Sequence, residues 1–303
     1  MIRPPRLRPG DAVRVIAPAG PVPRPEFEAG AAVLAARYRL LYDPATLFRA
    51  TGYLAGPDEV RVEELHAALR DPEARAVVLA RGGYGILRLL TYLDPKVLQE
   101  NPKPIVGFSD ATALLAWAAR AGVASVHGPV ITQLQRLPDE DRAGLFGLLE
   151  GPGPGLLLSD LDAPVPGRVQ GPLLGGNLEV FSRLVGTPFL PNIDGAVLFF
   201  EDLGERPYRV DRLLTHLDLA GVFGAAAAVV VGDFSGCKER ADSGQPSPPV
   251  EEVLLERLGR LAIPVAFGGK IGHGERNVAV PYGTLVELDT RHGTLVAIEG
   301  AVS

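Results

Sequence analysis

The chain is 303 residues long, 47% hydrophobic and 22% charged, with a formal net charge of -6. That length admits two domains, and a net negative charge with scattered arginines excludes a phosphate-backbone binding face. A single cysteine, Cys237, excludes an intramolecular disulfide and any Cys-rich zinc site.

The N-terminal MIRPPRLRPGDAVRV carries positive charge without an apolar stretch of signal-peptide length, and no apolar run elsewhere reaches a membrane span. The expectation is a soluble, cytoplasmic protein. In chain order, AVRVIAP (12–18) reads as a strand and 25–37 as a helix. YRLLYD (38–43) is a second strand, and DEVRVEELHAALRD (58–71) has helical spacing with charged faces. AVVLA (76–80) is a third strand and ILRLLTYLD (86–94) a helix; PIVGF (104–108) is a fourth strand, and the alanine- and leucine-rich 111–121 follows as a helix. Near-continuous apolar strands alternating with helices predict a doubly wound parallel sheet, whose ligands bind beyond the carboxyl ends of the strands.

Residues 151–167, GPGPGLLLSDLDAPVPG, form the best candidate linker. They divide a domain at 1–150 from one at 168–303, where the grammar changes. A helix is expected from Asn177, a strand at AVLFFED (196–202), a helix at 208–219 and a strand at AAAAVVVGDF (225–234). A Ser/Pro/Gly loop (235–249) precedes a helix at 251–261, and TLVELDTRHGTLVAIEG reads as an antiparallel hairpin. The second half is therefore α+β, rich in strands of mixed direction.

Only Ser109 and Asp110 lie between the strand PIVGF and its helix. One of them could simply cap the helix. Alternatively, Ser109 is a nucleophile on a strand-to-helix turn, its hydroxyl beside unpaired backbone donors. A serine nucleophile needs a base and a group to orient that base. Among five histidines, His66 and His216 read as helix residues and His292 as part of a hairpin turn. His127, after a short apolar run, could line a cleft; His273, in GGKIGHGERN, sits between glycines on an open loop. For the third group, Glu201 ends the apolar run VLFFE, where an unpaired charge would be costly. Asp202 is the adjacent competitor, and pairing of Glu201 with Arg206 or Arg209 is the structural alternative. RGGYG (81–85) could offer backbone N–H groups to an anion, although it matches neither G-x-G-x-x-G nor a P-loop.

Taken in order, RGGYG, PIVGFSDATALL, VHGP, GGNLEVFSRLVGTP, FFEDLGERPYRVDRLLTHL and GGKIGHGERNVAVPYG resemble the LD-carboxypeptidases, serine peptidases of peptidoglycan recycling. The resemblance runs through essentially the whole chain. It implies a flavodoxin-like N-terminal domain with a smaller β-rich C-terminal one, and a triad of Ser109, Glu201 and His273. It also implies an oxyanion hole from the N–H groups of Gly83 and Asp110, no metal or cofactor, a homodimer, and a murein-derived peptide as substrate. Arg81, Tyr84, His127 and Arg209 are candidate substrate contacts. No nucleic acid or membrane partner is expected. The implied reaction cleaves the amide between an L-centre and a terminal D-residue. The resemblance includes the microcin-immunity peptidases, but their usual GYSD-like serine turn differs from GFSD here, which favours the carboxypeptidase branch. The Ser…Glu…His order is also that of α/β-hydrolases, although GFSDA is not G-x-S-x-G. A non-catalytic protein using RGGYG for an anionic ligand is the alternative of another class.

Overall fold

The computed structural model describes residues 1–151, 153, 155–239 and 246–303. The chain opens with β1 (Ala12–Ile16), α1 (Arg24–Ala35), β2 (Arg39–Leu41), the short α2 (Pro44–Leu47), α3 (Asp58–Arg70) and β3 (Ala74–Leu79). It continues with α4 (Pro95–Glu100), β4 (Ile105–Gly107), α5 (Thr112–Arg120), β5 (Ser125–His127), α6 (Ile131–Leu134) and α7 (Asp139–Glu150). The first five strands pair in parallel in the order 2-1-3-4-5, the flavodoxin-like arrangement. Leu, Val and Ala side chains of these strands are buried, as a sheet with both faces covered requires. The helix expected at 86–94 is instead a pair of 3-10 turns, Ile86–Arg88 and Leu90–Tyr92, broken before Pro95, where α4 begins.

The second half contributes β6 (Gly155–Leu158), β7 (Asp162–Val165), β8 (Arg168–Asn177), α8 (Leu178–Ser182), β9 (Val197–Leu203), α9 (Pro207–Leu219) and α10 (Val222–Ala225). Then come β10 (Ala228–Ser235), α11 (Val250–Leu258), β11 (Val265–Phe267), β12 (Val280–Tyr282), β13 (Leu285–Asp289) and β14 (Thr294–Ala297). The second sheet runs β6-β14-β13-β8-β9-β10-β11-β7. Its four central strands, β8 to β11, are parallel, and antiparallel strands flank them on both sides.

The stretch 151–167, read as a linker, carries both edge strands of this sheet, β6 and β7; its residues 152 and 154 lie outside the described residues. Edge strands tolerate the prolines that suggested a linker, because one side of the ladder is not needed. Of the loop read at 235–249, residues 240–245 also lie outside the described residues.

The halves are interlocked. β12 leaves the second sheet's neighbourhood and adds to the first one, antiparallel to β5, with Val280 opposite His127. One buried cluster runs continuously from Trp117 and Leu114 on α5 to Phe199 and Phe200 on β9. At the contact, the Asn177 N–H donates to the Thr112 Oγ1 at 2.9 Å.

Candidate active site

β3, β4 and β5 are neighbours, so their carboxyl ends lie side by side and deliver RGGYG, Ser109 and His127 to one edge. Ser109 has φ 63°, a left-handed conformation that few non-glycine residues adopt. It opens a 3-10 turn, Ser109–Ala111, that leads into α5. The approach is close on both sides. A Cβ on Gly107 would lie 2.8 Å from the Ala111 Cβ, and one on Gly82 would lie 2.9 Å from the Ser109 Cβ.

Neither Ser109 nor Asp110 caps α5. The buried Asp110 Oδ2 instead accepts the Ile86 N–H at 2.9 Å, tying the serine turn to the end of the RGGYG loop. Burial outweighs that hydrogen bond and pushes the Asp110 carboxyl up to about 6. The backbone N–H groups of Gly83 and Asp110 donate to no acceptor among the described residues.

His273 stands on the loop between β11 and β12. Its Nδ1 lies 2.6 Å from the Glu201 Oε2, and its ring tilts against Phe108, the residue before Ser109, at 4.7 Å between centroids. Ser109 and His273 are not directly hydrogen-bonded among the described residues. Glu201 is fully buried on β9, opposite Asn177 of β8, and its Oε1 has no partner among the described residues. Gly272 makes room: with φ +127°, it carries the loop so close that a Cβ would lie 2.7 Å from the Glu201 Oε2. Burial works against charging His273, but the hydrogen bond and charge of Glu201 win and hold its pKa above the ordinary histidine value.

The arginine alternative for Glu201 does not occur. Arg206 pairs with Glu239 and Arg209 with Glu205. Asp202 faces the other way: its carboxylate accepts from the Asn177 Nδ2 (3.0 Å), the Glu179 N–H (3.1 Å) and the Leu203 N–H (2.8 Å). It thus anchors the start of α8, while burial and the neighbouring Glu201 raise its pKa to about 7.

The remaining candidates are dispersed. His127 is fully buried between Phe108 and Phe199, with both ring nitrogens unpartnered among the described residues. Burial, reinforced by His273, lowers its pKa to about 3, so it is a neutral imidazole behind the site rather than a cleft wall. Arg81 donates to the Pro21 carbonyl at 2.5 Å. Tyr84 is exposed and meets Tyr53 edge-on at 5.6 Å. Arg209 lies apart on α9, lining a cavity of about 550 Å³ that none of Ser109, Glu201 and His273 borders. Among the described residues, no group of three or more His, Cys, Asp or Glu could hold a metal ion, and no helix is long and apolar enough to cross a membrane.

Sequence reasoning missed Arg61. Wholly buried on α3, its guanidinium donates to the carbonyls of Gly56, Pro18 and Gly85 and pairs with Asp58 at 2.5 Å. It thereby ties together the three loops that carry Pro18, Gly56 and Gly85. The available signal was its spacing: Arg61 shares a helical stripe with Leu65, Ala68 and Leu69, an apolar face where a charge is out of place.

Profiles of the LD-carboxypeptidase N-terminal and C-terminal domains match residues 13–128 and 170–288. The chain is 36% identical over 253 residues to the murein tetrapeptide carboxypeptidase of Pseudomonas aeruginosa, covering 78% of this chain and 80% of that protein. It superimposes with a TM-score of 0.81 and 30% identity on the muramoyltetrapeptide carboxypeptidase of Oxalobacter formigenes, over 95% of this chain and 98% of that one. The microcin C7 self-immunity protein MccF, solved with aspartyl sulfamoyl adenosine, matches at a TM-score of 0.90 over both whole chains with 24% identity, a likeness of fold.

Proposed function

The chain belongs to the LD-carboxypeptidase family, and from that premise we propose that it is a serine carboxypeptidase. Its reaction is release of a terminal D-amino acid, D-alanine, from murein tetrapeptides. The observation that carries the proposal is the buried Glu201 carboxylate bonded to the Nδ1 of His273. That bond fixes the tautomer with the proton on Nδ1 and leaves Nε2 as the basic nitrogen. Phe108 packs against the same ring, next to the serine.

In the proposed sequence, the Ser109 hydroxyl attacks the scissile carbonyl and its proton passes to the His273 Nε2. Glu201 stabilises the imidazolium that results. The unpartnered N–H groups of Gly83 and Asp110 receive the oxyanion; a single such donor is worth about 10²–10³ in kcat. Collapse breaks the C–N bond, and His273 returns the proton to the departing D-amino acid's nitrogen. Water then attacks the acyl-enzyme, with His273 taking its proton and returning it to Ser109.

The test is mass spectrometry of murein tetrapeptides incubated with the protein, beside its Ser109→Ala variant. Loss of one D-alanine, abolished by the variant, is the expected result. Hydrolysis of an aminoacyl sulfamoyl nucleoside with tetrapeptides untouched would move the assignment to the self-immunity activity for which MccF is named. Failure of a fluorophosphonate to label Ser109 would return the protein to the non-catalytic anion-binding class.

A further inference from the structure

His273 and Ser109 come from opposite halves of the chain, so their register depends on whatever holds the β11–β12 loop against the first sheet. A closed ring of three hydrogen bonds does so. The Gly272 N–H donates to the Asn277 Oδ1 at 3.0 Å. The Asn277 Nδ2 donates to the Gln133 Oε1 at 2.7 Å, and the Gln133 Nε2 donates to the Gly272 carbonyl at 3.3 Å. Both backbone groups of the residue before His273 are therefore engaged.

The ring permits only one orientation of its two amides. A backbone N–H can only donate and a carbonyl can only accept, so Gly272 dictates the direction of Asn277, and Asn277 dictates that of Gln133. All of this is dry: Gln133 is 2% exposed and Asn277 0%. A buried polar network that is fully satisfied rigidifies its surroundings, and one with a member missing is costly.

Gln133 belongs to the serine's side of the molecule. It lies on α6, whose Thr132 N–H donates to the carbonyl of Ala80, the residue before RGGYG. A Cβ on Gly30 would overlap the Ile131 carbonyl, so α1 packs directly on α6. Beside the ring, Asp141 at the first turn of α7 accepts from the Arg276 Nε and Nη2 and from the Asn277 N–H at 3.0 Å. Two elements of the first half thus grip one loop of the second.

We propose that Gln133 and Asn277 are positioning residues: their amide ring with Gly272 holds the loop that carries His273 in register with the serine turn, so that proton transfer from Ser109 can occur when substrate is bound. The proposal rests on the assignment of Ser109 and His273 above. A misplacement of about 1 Å can cost about 10²-fold in rate. Gln133→Met keeps the length of the side chain and removes both ring bonds. It is expected to lower kcat about 10²-fold with KM within about threefold of wild type. Labelling of Ser109 by a fluorophosphonate, which needs the base but no murein recognition, should slow by the same factor. The acid limb of the pH profile should stay in place, because Glu201 still holds Nδ1. Should Gln133→Met fail to fold, Gln133→Glu carries the test. It retains the acceptor for Asn277 but sets a buried carboxylate oxygen against the Gly272 carbonyl in place of the donor, so a loss of at least about tenfold in both rates is expected.

A folded Gln133 variant with wild-type kcat and labelling rate, differing only in melting temperature, would overturn the positioning role. Wild-type protein that the fluorophosphonate leaves unlabelled would overturn the serine assignment, and the positioning role with it. Labelled wild type separates the two.

Discussion

Ser109 holds a backbone conformation worth about 1–3 kcal/mol of strain, and it returns no capping bond to the helix it precedes. Ser109→Gly should therefore abolish turnover while raising the melting temperature above that of Ser109→Ala, since glycine adopts φ near 60° without a Cβ clash. Parallel thermal melts check this; an alanine variant as stable as the glycine one would mean the turn is not strained. The second prediction at this scale concerns the acid limb of kcat/KM. His273 must be neutral to accept a proton, and Glu201 raises its pKa. Activity is then lost as pH falls through a value above the ordinary histidine one. In Glu201→Gln the base loses its charged partner while its burial remains. Its residual activity, about 10⁴-fold lower in kcat by analogy with the corresponding aspartate of serine proteases, should show an acid limb displaced to lower pH. A limb that stays in place would uncouple Glu201 from the titration.

The contrast between Glu201 and Asp202 belongs to the element scale, because β9 sends the two carboxylates to opposite sides. Asp202 holds the end of β8 and the start of α8 through the Asn177 Nδ2 and the Glu179 N–H, and accepts a third hydrogen bond from the Leu203 N–H of its own strand. Burial and the neighbouring Glu201 raise its folded pKa to about 7 from the ordinary aspartate value of about 3.9. The native state thus binds this proton more tightly than the unfolded chain does. The stability it contributes is present below about pH 4 and fades as pH rises towards 7. Asp202→Asn abolishes that titration and keeps an oxygen acceptor. The melting temperature of the variant relative to wild type should therefore climb between pH 5 and pH 8, with kcat within about tenfold of wild type. A difference flat in pH would mean that Asp202 is ionised in the fold throughout that range.

The whole molecule closes its site by interleaving its halves rather than by docking finished ones. β12 pairs with β5, and the cluster around Trp117 continues into β9 and β10. A first half without β12 would expose the β5 edge and the apolar side of α5. Unfolding in denaturant should accordingly be one transition. Fluorescence of Trp117, the single tryptophan and a reporter of the first half, should coincide with far-UV circular dichroism of the whole chain. A fluorescence transition displaced from the dichroism one would show that the halves unfold separately.

Much of this was legible in the sequence for a physical reason. Buried parallel strands need unbroken apolar runs, and residues at their carboxyl ends are marked by the change to Gly, Ser and Asp; PIVGFSD and RGGYG carry that mark in consecutive residues. The pairing of Glu201 with His273 is another kind of fact. The two lie 72 positions apart, and nothing local to FFED distinguishes its two carboxylates. The resemblance to LD-carboxypeptidases chose one; the sheet register, which turns successive side chains to opposite faces, sets Glu201 against the imidazole. The linker reading rested on glycine and proline, which the edge strands β6 and β7 in that stretch also tolerate. Gln133 and Asn277 left almost no local trace, because the bond they share joins side chains 144 positions apart. Composition and periodicity determine which segments are buried and where the chain turns. Only the packed tertiary structure decides which buried polar atoms satisfy one another.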